Sequence, residues 1–453
     1  MEHRIDFQAA GRFQPSERDT ARSWYTLGIL TFSFALAYVD RQMLNLLVDP
    51  IKRSLTISDT QFSLVQGMAF VTAYLCAAPI FGRMIDVANR RNVLIFGVAV
   101  WSGFTALCGL ADSYAMLFLS RLGVGVSEAC ILPVAMSLIG DYFSPRRTAR
   151  AQSIFFIGAN LGGGISLLAG GAIIAFADDL RKHVTHLAAL ESWQMAFVVI
   201  GVPGLLFALF LFTLREPQRQ PSPVDHAPDQ PMTLREVMAV LHLRRHFYGR
   251  IYLAIGMLAI VQLGMPSWFP AFLIRAHGLS TTETGYQLGL IAISCGTAGT
   301  LLGPLCTQWL SRRSVADAQL RASAWAMAFL CLFCLAIPLA PGPHGALAIG
   351  GAIFFATGFP LGITSAAMFN ASPSRMRGVV AALYTFVAQI IGYMAGPTLI
   401  ATCTDRIFAD PKMVGYSMQI VMSSSAFIAT LLMFSALRYY REIAEGTATP
   451  SAA

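Results

Sequence analysis

The chain has 453 residues, of which 55% are apolar and only 12% charged, with a net charge of +8. A charged share about half that of a soluble domain cannot cover a water-facing surface of this size, which excludes a soluble multidomain protein. The Lys and Arg residues sit in short gaps between apolar runs and form no stripe, so the positive charge does not point to a nucleic-acid partner.

Residues 1–24 are polar, and the apolar run after them lacks a small-residue cleavage site, so it reads as a retained helix. A helix needs about 20 residues to cross the hydrocarbon core. That length places spans at 25–47, 60–80, 93–111, 115–139, 151–176 and 193–214. A second set lies at 247–274, 284–310, 321–340, 345–370, 376–402 and 413–437. The expectation is an all-α integral membrane protein of 12 transmembrane helices in two six-helix bundles, 25–214 and 247–440, with a tail over 441–453. Residues 215–246 are rich in Pro and charge and then turn amphipathic, which predicts a linker ending in an interfacial helix from Leu234 to Leu243.

With both termini on one side, the segments of that side carry 23 Lys and Arg and the opposite segments carry seven, while Arg41 and Arg121 fall inside spans. This bias places the termini and the linker in the cytoplasm. The eight cysteines lie in or beside apolar runs, and Cys331 with Cys334 forms a lone CxxC, so neither a disulfide nor a metal is expected.

The halves repeat. The gap after the second span reads GRMIDVANRR and the gap after the eighth reads GPLCTQWLSRR, with Gly82 and Gly303 in matching places. Gly158 and Gly162 in the fifth span are matched by Gly392 and Gly396 in the eleventh. The offsets of 221 and 234 residues agree within a loop's length, as expected for two parallel halves with a binding site between them. Paired glycines at this spacing ordinarily let helices approach closely. In the first gap, Gly82, Asp86, Arg90 and Arg91 suggest an ion-pair latch at a helix end, beside the plainer reading of positive-inside charge.

Four ionisable residues lie within spans: Asp40 and Arg41 in the first, Arg121 and Glu128 in the fourth. Such groups cost several kcal/mol unless paired or hydrated, which makes them functional candidates. At about 1.5 Å per residue, Asp40, Arg41 and Arg121 lie roughly 10 Å below the outer helix ends and Glu128 roughly 20 Å down. The plainer reading is two ion pairs, Asp40 with Arg121 and Glu128 with Arg41, that register two helices. The functional reading makes Asp40 and Glu128 proton carriers and gives Arg41 and Arg121 an anionic headgroup to hold. Tyr38, Asn45, Trp268, Asn370, Tyr384 and Gln389 are further candidates to line a substrate cavity, with Gln262 and Tyr393, although interhelical hydrogen bonding is the ordinary role of such residues. Pro266 and Pro270 sit one turn apart in the seventh span and suggest a broken helix serving as a gate. The second half has no charged residue inside a span except near helix ends, so it offers an apolar wall.

GRMIDVANRR resembles the signature loop of the major facilitator superfamily, with Val87 where a basic residue is usual. YVDRQMLNLLVDPIK, ISDTQFSLVQGMAF and SRLGVGVSEACILPVAMSLIGDYF look like the Spinster branch of that superfamily, in a bacterial homologue. The resemblance implies the major facilitator fold, a latch that holds the outward-open state, and functional roles for Asp40, Arg41, Arg121 and Glu128. It also implies an amphiphilic substrate such as a lysophospholipid or sphingosine-1-phosphate-like lipid. The combined expectation is a monomeric secondary transporter in the cytoplasmic membrane, proton-coupled and without a cofactor, whose partners are membrane lipids, protons and its substrate. A small organic anion or drug is the alternative substrate, and a non-transporting sensor the alternative from another class. No phosphate-cradling Gly-rich loop ending in Lys-Ser/Thr is present. A lipid-modifying enzyme is disfavoured because His183, His186, His277 and His344 are scattered through outer loops.

Overall fold

The computed structural model describes residues 19–183, 190–217, 234–313, 317–373 and 376–444. The first half contains α1 (Ala21–Met43), α2 (Asp59–Val87), α3 (Arg90–Cys108), α4 (Tyr114–Tyr142), α5 (Pro145–His183) and α6 (Ser192–Phe210). The second contains α7 (Arg245–His277), α8 (Thr281–Arg312), α9 (Ala318–Leu335), α10 (Gly342–Asn370), α11 (Arg377–Phe408) and α12 (Val414–Ala444). Among the described residues, eleven helical segments are long and apolar enough to cross a membrane. The twelfth crossing is α1, made less apolar by the Asp40–Arg41 pair it carries. The linker helix forms over Leu234–Leu243, while residues 218–233 and His186 lie outside the described residues.

The start of α1 is fixed by a capping box in which Thr20 and Ser23 satisfy each other's backbone N–H groups. The same device opens α2, with Ser58 and Gln61, and α8, with Ser280 and Glu283. Both helices then contain a π-turn, over Leu64–Ala69 in α2 and Ala292–Gly296 in α8. These matched caps and turns extend the internal repeat beyond the glycines.

The glycine pairs do what small residues do in membranes. A Cβ on Gly162 would sit 2.2 Å from the Ala35 carbonyl oxygen, so α5 lies directly on α1. Gly392 and Gly396 bring α11 against Ala259 and Ile260 of α7 in the same way.

The halves meet unequally. At the end opposite the termini, here the far end, the core is continuous: Leu47, Ile51 and Phe62 of the first half pack in one cluster with Trp268 and Phe272 of the second. A Cβ on Gly67 would meet the Tyr393 carbonyl oxygen at 2.2 Å, and one on Gly171 would meet Thr282. The polar bonds between halves that the described residues show also lie here. Toward the termini, a Cβ on Gly82 or Gly378 would meet nothing within 4 Å, and Val87 is 86% exposed. The cleft between the halves therefore opens on the terminal side.

Candidate functional site

The four intramembrane charges converge where α1 crosses α4. Arg121 and Glu128 stand seven residues apart on one face of α4, because two helical turns nearly restore the azimuth. Asp40 and Arg41 diverge by about 100 degrees on α1, so each finds its own partner. Arg41 donates from Nε at 2.7 Å and from Nη2 at 2.5 Å, both to Oε2 of Glu128. Asp40 accepts from Thr105 of α3 at 3.0 Å and faces Arg121 Nη1 at 3.4 Å.

Aromatic rings enclose the guanidinium groups. The Arg41 guanidinium carbon lies 4.4 Å from the Phe70 ring centroid, 5.0 Å from that of Tyr38 and 5.5 Å from that of Tyr74. Phe70 also lies 5.7 Å from Arg121, so one ring serves both cations. The α2 π-turn ends one residue before Phe70, and Gly125 lets α4 pass beside the Phe70 carbonyl. The one-residue insertion of a π-turn rotates the rest of the helix about its axis, here turning Phe70 and Tyr74 to the charges.

Two features distinguish these four residues. Arg41 keeps 8% exposure whereas Asp40 and Arg121 keep 1% and Glu128 none, so Arg41 is the least enclosed of the four. Glu128 Oε1 and Arg121 Nε are buried without a hydrogen-bond partner. An unmatched carboxylate oxygen in a dry site is where a proton gains most.

The other sequence candidates are dispersed. Tyr38 belongs to the cage. Asn45 lies beyond it, in a chain in which Gln66 donates to Asn45 and Asn45 donates to Gln42. Trp268 does not line the cleft: it is fully buried, and its indole N–H donates to the Pro397 carbonyl at 2.9 Å in the far-end closure. Asn370 sits at the terminal end of α10 and donates to Gln319 at 3.2 Å, far along the helix from the charges. Tyr384 packs on the second-half core, and Gln262, Gln389 and Tyr393 are partly buried, with Tyr393 6.4 Å from Phe70. The expected break at Pro266 and Pro270 does not occur, because α7 is continuous through both and buried against its neighbours.

The latch also differs from expectation. Asp86 is exposed, and Arg90 is instead buried between Asp141 of α4, at 2.5 Å, and Glu216 after α6, at 2.6 Å. Arg91 donates its backbone N–H to Glu216 at 3.0 Å. The second half builds the same knot with opposite signs: Asp317, before α9, pairs with Arg441 of α12 at 2.5 Å and with Arg321 at 3.1 Å. Burial alone would raise the Asp317 carboxyl, but hydrogen bonds from Arg441 and then Arg321 outweigh it and hold the group below its ordinary value of 3.8.

Sequence reasoning missed the far-end network. Arg275 of α7 reaches Asp49 at 2.7 Å and Asp59 at 2.8 Å, and Lys52 also pairs with Asp59. Asp405 of α11 accepts from the Thr60 N–H at 2.6 Å and hydroxyl at 2.7 Å. Loop charges near helix ends carry no intramembrane penalty, so nothing in the sequence singled them out. Phe70 and Tyr74, one turn apart in α2, were legible only as apolar periodicity.

The sequence profile of the Major Facilitator Superfamily matches residues 30–397. An MFS-type efflux pump of Mycolicibacterium smegmatis is 25% identical over 97% of this chain and 98% of its own length. The sphingosine-1-phosphate transporter SPNS2 of Danio rerio is 26% identical, covering 90% of this chain and 84% of that protein. Among solved structures, a bacterial homologue of the human lysosomal transporter Spinster, inward-facing and occupied, superposes with a TM-score of 0.77 at 24% identity over 96% of this chain and 100% of that one. The chain belongs to the major facilitator superfamily of transporters, and within it resembles Spinster-type members.

Proposed function

We propose that this chain is a proton-coupled transporter of an anionic amphiphile, working as a monomer in a bacterial cytoplasmic membrane with both termini in the cytoplasm. On that topology the cleft faces inward. The observation that carries the reading is the Arg41–Glu128 pair, in which one carboxylate oxygen takes both arginine donors and the other has none.

A proton arriving at Glu128 Oε1 neutralises the carboxylate and weakens its hold on Arg41. The guanidinium, the least enclosed of the four charges, then turns its fork to an anionic headgroup. Proton and anion thus support each other's binding. Asp40, buried beside Thr105 and Arg121, is the second proton site in this reading, and Arg121 holds it in place. The tail of the substrate lies against the second half, which supplies no intramembrane charge opposite the cluster. SPNS2, which is similar over most of this chain, bears the name of a transporter of such a lipid.

Flux in proteoliposomes under an imposed pH gradient tests the reading, with a lysophosphatidic acid, a neutral monoacylglycerol and a short-chain dicarboxylate as substrates. The expected result is gradient-driven flux of the first, lost in Glu128→Gln and reduced in Asp40→Asn. If both variants keep gradient-driven flux, the proton assignment is wrong. If the dicarboxylate is carried and the lipid is not, the substrate is a small organic anion.

A further inference from the structure

On the outer surface of the first half, near its terminal end, α1 and α6 leave an open groove of about 420 Å³. Its lining is apolar and aromatic: Tyr25, Gly28, Ile29 and Phe32 from α1, Phe207 and Phe210 from α6. The rings are set against one another, with Phe32 edge-on to Phe207 at 4.8 Å and Phe207 stacked on Phe210 at 6.3 Å. Gly28 forms the floor, where a Cβ would meet nothing within 4 Å.

The terminal mouth of the groove has a different chemistry. The Tyr25 and Thr213 hydroxyls bond at 2.7 Å and tie α1 to the end of α6 there. Arg22 precedes Tyr25 by one turn and continues the stripe formed by residues 25, 29 and 32. Arg215 lies two residues beyond Thr213, is exposed, and has its backbone held by a 2.7 Å hydrogen bond from the Tyr142 hydroxyl to its carbonyl. Among the described residues, neither arginine belongs to an ion pair with a carboxylate, unlike Arg90 close by. Two arginines outside any carboxylate ion pair among the described residues thus lie within one turn of the Tyr25–Thr213 bond that closes the terminal end of the groove.

We propose that the α1–α6 groove is a binding site for an anionic two-chain phospholipid of the leaflet facing the termini, with its phosphate between Arg22 and Arg215 and one acyl chain along Ile29, Phe32 and Phe207. Charge complementarity selects the headgroup, and the dry aromatic lining selects a chain over water. The site lies on the outside of the bundle, and its stripe on α1, continued from Phe32 through Leu36, reaches Asp40 about 12 Å further along the axis. A lipid seated there packs on the helix that carries the transport charges. The proposal does not depend on which substrate the cleft carries.

The test uses the full chain, purified and delipidated in a neutral detergent, titrated with dioleoylphosphatidylglycerol or dioleoylphosphatidylcholine and read by native mass spectrometry. The expected preference for the anionic lipid is about 10- to 30-fold, from two basic groups acting together at the membrane surface. Arg22→Gln with Arg215→Gln removes that preference and leaves phosphatidylcholine binding unchanged, which also shows that the variant is folded. Gly28→Leu, which has room to fill the groove, weakens both lipids. Equal binding of the two lipids by the wild type, or a preference that persists in the double variant, overturns the proposal. A preference abolished by Arg41→Gln instead places the lipid in the central cleft and overturns it equally, whereas a failure of proton-driven flux leaves the titration untouched.

Discussion

Arg41 delivers two N–H groups to a single oxygen of Glu128 and leaves the second oxygen of that carboxylate without a partner. The bidentate fork-to-fork arrangement common for such pairs, with one donor for each oxygen, would leave neither carboxylate oxygen unpartnered. Glu128→Gln keeps the shape and removes the group proposed to carry the proton. The variant is expected to bind anionic substrate at any pH and to exchange it across proteoliposomes, while losing accumulation driven by a pH gradient. Counterflow and gradient-driven uptake, measured on the same preparation, separate the two.

Arg275 is the far-end counterpart: it is the cation of the second half that holds two aspartates of the first. Its removal leaves Asp59, which is fully buried, with Lys52 alone. Breaking a buried pair from one side costs about 3–5 kcal/mol. Because the pair spans the two halves, Arg275→Ala is expected to shift the population toward a state open at the far end. Spin labels at the exposed positions Leu110 and Leu339, in a background without native cysteines, report this as a longer-distance component. An unchanged distance distribution would remove Arg275 from the closure.

Two glycines with equally tight surroundings are expected to behave differently. A Cβ at Gly162 meets the Ala35 carbonyl inside the first half, and a Cβ at Gly67 meets the Tyr393 carbonyl across the halves, each at 2.2 Å. Overpacking of this kind costs about 1–3 kcal/mol. Gly162→Ala lowers thermal stability in every state, since α1 and α5 belong to one bundle. Gly67→Ala penalises only the far-end-closed state, so it changes the label distances more than the melting temperature. Gly82→Ala meets nothing and leaves melting unchanged or slightly raised.

The Asp317 knot carries a pH signature. Its carboxyl is held below 3.8 in the folded chain, so its stabilisation is fully present above that value and fades as pH falls through the lower folded value. Asp317→Asn is expected to lower stability at neutral pH by about 1–3 kcal/mol. It also flattens the acid limb below about pH 4. Melting curves in detergent from pH 3 to 7 compare wild type with the variant.

Hydrophobic length revealed the crossings, and the glycine repeat revealed the two halves. The pairing of Asp40 with Arg121 was also legible, because residue counting puts both at one depth. Glu128 with Arg41 was legible only as the remaining opposite charges, since counting sets them about 10 Å apart and the long arginine side chain closes that gap. What residue counting cannot give is azimuth after an irregular turn. The π-turn in α2 decides that Phe70 and Tyr74 face the charges, and no residue in LVQGMA announces it. Trp268 and Asn370 were misplaced because polar or aromatic character alone does not say whether a residue faces the cleft, a neighbouring carbonyl or a helix end. The Asp86 latch was a statement about a conformation. With the cleft open toward the termini, Asp86 is exposed, and Arg90 is held by carboxylates of its own half.

All four intramembrane charges belong to one half, and they cancel as two cations and two anions. When the unloaded protein swings between its two faces, it carries no net charge through the membrane field, in which each elementary charge would otherwise cost about 2.3 kcal/mol per 100 mV. If these four charges are the ones that cross the field, the empty return stroke is blind to membrane voltage, and on the proposed mechanism any voltage dependence of transport comes from the cargo and its protons.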